Sequence, residues 1–156
     1  MTQIAKSLGA RVFTTVSTEE KAELSRSAGA DEVILYTKED FADAIKKRVP
    51  SGLHAVYDSV GKTTFEKSPP ILRRRGTLVL FGASSGAVPP FDLIRLSQMG
   101  SLYITRPTLK DYTASRQELE ERAAEVFGAI AKGELTLRIE HVYPQADAAH
   151  AHRDLE

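Results

Sequence analysis

The fold is decided by the stretch RVFTTVSTEEKAELSRSAGADEVIL, residues 11–35. Two short runs rich in β-branched residues, Arg11–Val16 and Glu32–Leu35, flank a helical stretch that opens with Ser17 and Glu20 in capping-box spacing. This order predicts a strand, a helix and a second strand. The chain continues the alternation, with further candidate strands at His54–Asp58, Thr77–Phe81, Leu102–Thr105 and Arg138–Val142. Because strands that alternate with helices build parallel sheets, the sequence predicts an α/β fold.

Two more pairs of residues have the spacing of a capping box, Thr63 with Glu66 and Ser115 with Glu118. Each pair predicts the start of a helix. The longest predicted helix runs from about Arg116 to Lys132, and its apolar side is expected to pack on the sheet. A further helix is predicted from about Gln145 onward.

Proline interrupts the helical pattern after Thr63. Pro69 and Pro70 remove helical hydrogen-bond donors and clash with the preceding turn, which predicts a break near Ser68. The three arginines that follow, Arg73–Arg75, are expected at a helix C-terminus, where the helix dipole favours cations.

The composition limits the classes of function. The chain has 156 residues, 42% of them hydrophobic, which predicts one domain with one core. The 21 basic and 21 acidic residues cancel, which argues against nucleic acid as a partner. There is no cysteine, so disulfides and cysteine-based metal sites are excluded. No apolar run reaches the roughly 20 residues of a membrane span, and we expect a cytoplasmic protein.

No catalytic residue and no metal site emerges from the residue pattern. His150 and His152 are two positions apart on a predicted helix, so they face different sides and are not expected to share a metal ion. No serine, histidine and aspartate set has a spacing that distinguishes it from chance.

A glycine-containing loop follows the fourth candidate strand in LVLFGASSGAV, Leu78–Val88. Gly82 and Gly86 lack the Gly-x-Gly-x-x-Gly spacing that lets a backbone approach a dinucleotide pyrophosphate. The loop is therefore either an ordinary strand-end turn or one wall of a ligand crevice, since ligands of open α/β sheets bind beyond the carboxyl ends of the strands.

The first candidate strand ends in hydroxyls, with a cation one helical turn later. Ser17, Thr18 and Lys21 have the chemistry that holds a phosphate, whereas Glu19 and Glu20 would repel one. From these residues alone, a phosphate subsite and a solvated helix start both remain open.

Both ends of the chain suggest a cut. Residues 3–8 read as the last turns of a helix closed by Gly9, with no strand before them, and the chain stops at Asp154–Glu156 inside a predicted helix. We therefore expect that a strand is missing at the beginning.

Five stretches of the chain, taken in sequence order, carry a family resemblance: QIAKSLGARV, TVSTEEKAELSRSAGADEVI, VYDSVG, RRRGTLVLFGASSGAV and GSLYITRPTL. They resemble the medium-chain dehydrogenase/reductase superfamily, and within it the zinc-independent, zeta-crystallin-like NADPH:quinone oxidoreductases. The resemblance implies a Rossmann-like, doubly wound parallel sheet that lacks its first strand, its glycine-rich turn and its last strand. Residues 1–156 would be a partial NADP-binding domain, and the family's N-terminal catalytic domain would be absent.

The resemblance also implies the cofactor, NADPH, and the residues near it. Around the adenosine 2′-phosphate it places Ser17, Thr18, Lys21 and Tyr36. Ser59 would approach the cofactor from a strand-end turn, and the nicotinamide half would be lined or bordered by Phe81, Gly82, Ser84, Ile104, Thr105 and Arg106. Residues 101–106 would also form the edge strand through which the family pairs into homodimers.

The activity implied is hydride transfer from NADPH to a quinone or a similar electron-poor acceptor, with the isolated chain expected not to turn over. Two alternatives stay open. One is another zinc-free member of the superfamily, an enoyl reductase or an alcohol dehydrogenase. The other is a role without catalysis, because members of this group are known as lens structural proteins and as binders of single-stranded RNA.

Overall fold

The computed structural model describes residues 1–155. A short helix, α1 (Thr2–Ser7), leads into β1 (Phe13–Val16), α2 (Glu19–Ser27) and β2 (Glu32–Leu35). The strands β1 and β2 pair in parallel, so residues 11–35 form the predicted strand, helix and strand. The α/β fold predicted from this stretch is confirmed.

A second parallel sheet follows α3 (Phe41–Arg48) and contains β3 (Leu53–Asp58), β4 (Leu72–Leu80) and β5 (Tyr103–Thr105) in the order β3-β4-β5. The later helices are α4 (Ile94–Gln98), α5 (Leu109–Tyr112), α6 (Arg116–Ala131) and α7 (Ala148–Asp154). Among the residues that the structure describes, no helix has the length and apolar character needed to cross a membrane.

A cleft of about 1020 Å³ separates the two sheets and is lined by both β1 and β3. Each of these strands has one hydrogen-bonded neighbour, β2 for β1 and β4 for β3. The six strands of a doubly wound sheet, numbered along the chain, lie in the order 3-2-1-4-5-6. When β1 to β5 are taken as strands 2 to 6, the observed order β2-β1, then β3-β4-β5, reproduces this arrangement and leaves open the central place of strand 1. The Rossmann-like sheet lacking its first strand is thus what the chain forms.

The core holds the two sheets together on one face. One cluster of buried residues contains Ile34, Ala42, Ala44, Ile45 and Ile71, and the other contains Phe65, Leu72, Leu78, Leu80 and Leu102. Leu53 and Val56 of β3 pack against both clusters. No hydrogen-bonded ladder links β1 to β3, and this shared side-chain packing helps to join the two sheets.

Two of the three predicted capping boxes are wrong by one residue. Thr18, not Ser17, is the N-cap of α2, and its Oγ1 accepts a hydrogen bond from the Lys21 amide (3.2 Å). Thr64, not Thr63, precedes the next helical turn and provides no side-chain cap. In both places the sequence offers two adjacent residues with hydroxyl groups, and contacts made elsewhere in the fold determine their roles.

The third capping box is present as predicted. The Ser115 hydroxyl accepts from the Glu118 amide, and the Glu118 carboxylate accepts from the Ser115 amide, at the start of α6. However, no residue of α6 is buried, and Phe127 is 68% exposed. The prediction that this helix packs on the sheet is wrong.

The segment with two prolines forms two short 3₁₀ turns, Phe65–Lys67 and Pro69–Ile71, which meet at Ser68. The predicted break is confirmed. The strand β4 then begins at Leu72, so Arg73–Arg75 lie in a strand and not at a helix C-terminus. The prediction failed because buried Leu72 already pairs with Leu53, so the strand begins before the arginines and includes them, at an irregularity in its pairing with β3.

The last predicted strand, Arg138–Val142, is also wrong, since these residues form neither strand nor helix. In the described part of the chain, no strand of either sheet pairs with this segment, and Ile139 and Val142 are exposed. A 3₁₀ turn, Gln145–Asp147, leads into α7, which confirms the helix predicted from Gln145.

Candidate functional site

The carboxyl ends of β1 and β2 bring together residues far apart in sequence. The Val16 carbonyl accepts from the Tyr36 amide (3.1 Å), and the Ser17 carbonyl accepts from the Thr37 hydroxyl (3.0 Å). Four predicted site residues, Ser17, Lys21, Tyr36 and Ser59, line the cleft between the two sheets. The two parallel strands therefore place a hydroxyl, a cation and a phenol at one edge, where ligands of open α/β sheets bind.

The negative charge of Glu19 at this edge is compensated by a residue that the sequence analysis missed. Lys38 forms an ion pair with Glu19 (2.9 Å between Nζ and Oε1). The hydrogen bond from the Lys38 ammonium, together with its charge, lowers the pKa of Glu19. Lys38 lies three residues beyond β2, and the parallel pairing of β1 with β2 brings it to the start of α2. The register of the two strands is therefore the information that would have identified Lys38 as the partner of Glu19.

Lys21 is exposed and joins no ion pair in the part of the chain that the structure describes. It lies in the first turn of α2, whose free amide groups and dipole favour an anion. Ser17 and Lys21 line the same cleft and Glu19 is paired with Lys38, so this edge has groups that can hold a doubly charged anion such as a phosphate. The phosphate interpretation of Ser17, Thr18 and Lys21 stays a prediction, and the pairing of Glu19 with Lys38 removes one argument against it.

At the end of β3 the chain makes a tight turn, residues 59–61, which we call the β3 turn. Asp58 is 5% exposed, and its Oδ1 accepts from the amides of Val60 (2.8 Å) and Gly61 (3.0 Å). The Thr64 hydroxyl is within hydrogen-bonding distance of both carboxylate oxygens (2.9 and 2.8 Å). Ser59 is exposed at the cleft, so Asp58 closes the turn while Ser59 is accessible to a ligand.

The glycine-containing loop, residues 82–86, packs against the β3 turn, and we call it the β4 turn. The Ser84 and Ser85 amides donate to the carbonyls of Ser59 (3.2 Å) and Val60 (2.9 Å). A Cβ placed on Gly82 would lie 2.4 Å from the Ser59 carbonyl oxygen. These amides are used inside the protein, so the loop does not form a phosphate cradle, and its residues are not among those that line the cleft between the two sheets.

Phe81, just before this loop, and Ser84, within it, are exposed, and the loop is joined to the end of β5. Arg106 donates from Nη1 to the Gly82 carbonyl (3.3 Å), which ties residue 106 to the β4 turn. Thr105 is exposed and pairs with Val79, while half-buried Ile104 packs against the second core cluster. Phe81, Gly82, Ser84 and Arg106 therefore lie together, and the Ile104 side chain contacts the core.

A metal site does not form among the described residues. No group of three or more histidine, cysteine, aspartate or glutamate side chains in residues 1–155 is arranged to hold a metal ion. The whole sequence has no cysteine, the usual ligand of structural zinc in proteins.

Residues 1–129 match the family model of the zinc-binding dehydrogenases. A mycobacterial quinone oxidoreductase of known structure is 50% identical, with a TM-score of 0.92, and the match covers 99% of this chain and 48% of that one. The Escherichia coli quinone oxidoreductase, solved in complex with NADPH, is 44% identical with a TM-score of 0.89, over 98% of this chain and 48% of that one. A 2-haloacrylate reductase from Burkholderia sp. is 40% identical over 96% of this chain and 45% of its own length.

The chain thus spans about half the length of the curated relatives it matches. No residues within 1–155 fit the zinc of the family's description, and we derive no chemistry from that metal. The family model covers residues 1–129, most of the chain. The chain belongs to the zinc-binding dehydrogenase family.

Proposed function

We propose that this chain is a partial NADP-binding domain, residues 1–156, of an oxidoreductase that transfers hydride from NADPH to a quinone or a similar electron-poor acceptor. The observation that carries the proposal is the anion subsite where β1 and β2 end. Lys21 and the Ser17 hydroxyl are available there, and Lys38 compensates the nearest carboxylate, that of Glu19. A subsite with this charge fits the 2′-phosphate that distinguishes NADPH from NADH.

In this proposal the cofactor spans the cleft. The 2′-phosphate is surrounded by Ser17, Thr18, Lys21 and Tyr36. The nicotinamide half is surrounded by Ser59, Phe81, Gly82, Ser84, Ile104, Thr105 and Arg106. NADPH, when bound, supplies the hydride. The chain's own residues bind and orient it, and none of them is assigned a proton transfer.

The acceptor follows from what the relatives are named for. A quinone and a 2-haloacrylate share an electron-poor carbon–carbon double bond, and both relatives match this chain over nearly its full length. We therefore infer an acceptor of this class. A second candidate, an alkene reductase, is supported by the 2-haloacrylate reductase fold, whose TM-score to this chain is 0.93. Reduction rates of quinones and activated alkenes by the full-length protein separate the two.

The proposal includes a homodimer and a cytoplasmic location. Residues 101–106 contain β5, which pairs with β4 on one side, and Tyr103 on this strand is 60% exposed. An edge strand of this kind is the usual site of sheet extension by a second copy. The isolated chain is expected to bind the cofactor weakly and not to turn over.

The test compares the binding of NADPH and NADH to this chain by calorimetry. We expect tighter binding of NADPH, and a loss of about 10-fold to 100-fold in NADPH affinity for Lys21→Ala, because a hydrogen bond to a charged group contributes about 1.5–3 kcal/mol. NADH affinity should not change. Lys132→Ala, at an exposed lysine beyond α6, is the matched control. Equal affinity of the wild-type chain for NADPH and NADH would overturn the proposal.

A further inference from the structure

A buried acidic network lies behind the β3 turn and has no place in the proposed cofactor contacts. Asp58 is 5% exposed and Ser68 is 2% exposed. The carboxylate of Asp58 lies within hydrogen-bonding distance of two backbone amides, those of Val60 and Gly61, and of two hydroxyls, those of Thr64 and Ser68. No ion pair among residues 1–155 involves Asp58, so neutral donors alone solvate this carboxylate.

This arrangement is costly unless every donor is in place. A buried carboxylate that loses a donor keeps its desolvation penalty, so the network is either complete or strongly destabilising. The donors come from the turn itself and from the segment that follows, where Thr64 precedes the first 3₁₀ turn and Ser68 lies between the two 3₁₀ turns. Asp58 therefore fixes the β3 turn against the segment with two prolines.

The β3 turn in turn positions the β4 turn. Three hydrogen bonds join them, from the Ser84 and Ser85 amides and from the Ser85 hydroxyl to the Val60 carbonyl (2.8 Å), and just after the β3 turn the Lys62 amide donates to the Gly86 carbonyl (3.2 Å). The Phe81 amide also donates to the Asp58 carbonyl (2.9 Å). A displacement of residues 59–61 would therefore carry the whole β4 turn with it.

We infer that Asp58 is a positioning residue whose carboxylate, held by Thr64, sets the two turns that receive the nicotinamide half of the cofactor. This inference rests on the proposed function for its ligand, and it goes beyond that function because neither Asp58 nor Thr64 is among the proposed cofactor contacts, although both border the cleft. The side chains of Asp58 and Thr64 form their hydrogen bonds within residues 58–68 and none to β1 or β2, so the anion subsite is expected not to depend on the network.

The test removes one donor without changing the shape of the side chain. Thr64→Val deletes the hydroxyl that reaches Asp58, and Thr64→Ser keeps it. Thr63→Val is the matched control, because it makes the same chemical change one residue earlier, at an exposed hydroxyl that forms no hydrogen bond within residues 1–155. Asp58→Asn is the second variant, and it tests the carboxylate itself.

Two measurements are made on each variant. Amide hydrogen exchange reports whether Ser84 and Ser85 stay protected, and needs no ligand. Binding of NADPH and of adenosine 2′,5′-bisphosphate separates the two halves of the site, because the bisphosphate carries the 2′-phosphate and lacks the nicotinamide. For Thr64→Val we expect faster exchange at both serines, about fivefold to tenfold weaker NADPH binding and unchanged bisphosphate binding. Thr64→Ser and Thr63→Val should behave like the wild type.

The outcomes separate this inference from the proposed function. If exchange at Ser84 and Ser85 does not change in Thr64→Val and Asp58→Asn, or if both ligands weaken equally, Asp58 has no specific positioning role. If exchange rises and NADPH affinity stays the same, the turns do not receive the nicotinamide. If the wild-type chain binds neither ligand, the proposed function fails, while the exchange data still decide whether Asp58 holds the turns.

Discussion

The contact between Gly82 and the β3 turn gives the sharpest prediction about this fold. A Cβ at residue 82 would lie 2.4 Å from the Ser59 carbonyl oxygen and 2.8 and 2.9 Å from its Cα and carbonyl carbon. All three are backbone atoms and cannot rotate away, so in Gly82→Ala the turns must separate by about 1 Å to reach an ordinary contact of 3.4 Å. Overpacking of this kind costs about 1–3 kcal/mol.

The assay is thermal unfolding followed by circular dichroism. A domain of this size shifts its Tm by about 2–4 °C for each kcal/mol, so we expect Gly82→Ala to unfold roughly 2–12 °C below the wild type. Gly128→Ala is the control, since a Cβ at residue 128, within α6, meets no atom within 4 Å. That variant should gain about 0.8–1.0 kcal/mol from helix propensity. A Tm for Gly82→Ala equal to that of the wild type would refute the steric argument.

Three further predictions concern stability. Ser115→Ala removes the hydroxyl of the capping box at α6 and should cost about 1 kcal/mol, seen as a loss of helical signal on urea titration. Arg75 has φ 58°, and Arg75→Gly should raise the urea midpoint by relieving a left-handed backbone worth about 1 kcal/mol. The hydrogen bond from the Lys67 ammonium is the largest cause that lowers the pKa of Asp40 below its ordinary value of 3.8, and the amides at the start of α3 contribute less. The ionised Asp40 therefore stabilises the fold above about pH 4, and this stabilisation is lost as the pH falls. The stability difference between wild type and Asp40→Asn should therefore shrink as the pH falls below about 4.

Local signals predicted the parts of the fold that depend on neighbours in sequence. The bounds of β2, Glu32–Leu35, agree with the structure because β-branched residues lie between turn-forming residues on both sides. The capping box at α6 was found because both partners lie within one turn of the same helix. The break at Ser68 follows from the covalent geometry of two prolines, which no tertiary contact can alter.

Contacts between distant residues set the rest. Ser17 and Thr18 are equally good caps by composition, but the Ser17 carbonyl bonds the Thr37 hydroxyl across the sheet, and the helix begins one residue later. The pairing of Glu19 with Lys38 depends on the register of β1 and β2. When the register is unknown, Glu19 and Glu20 argue against a phosphate beside Ser17. The structure shows that the charge of Glu19 is paired with that of Lys38.

The same reasoning explains why α6 was misjudged. Its apolar residues recur with the period of a helix face, and such a pattern indicates which side of a helix is apolar without saying which surface covers it. Within residues 1–155 nothing buries that face, and Phe127 is exposed on it. A periodic pattern is therefore weaker information than a cap, because a cap is satisfied inside the helix and an apolar face needs a partner.

The two halves of the candidate site stand on different sheets. The anion subsite lies on β1 and β2, while the β3 and β4 turns belong to the second sheet, and the sheets are joined by side-chain packing at Leu53 and Val56 without a shared hydrogen-bonded ladder. Under the proposed function, NADPH must contact both halves, so its apparent affinity scales with the fraction of molecules whose sheets are correctly placed. A ligand confined to the anion subsite does not depend on that fraction. The ratio of NADPH to adenosine 2′,5′-bisphosphate affinity therefore measures how well this packing alone holds the sheets in place.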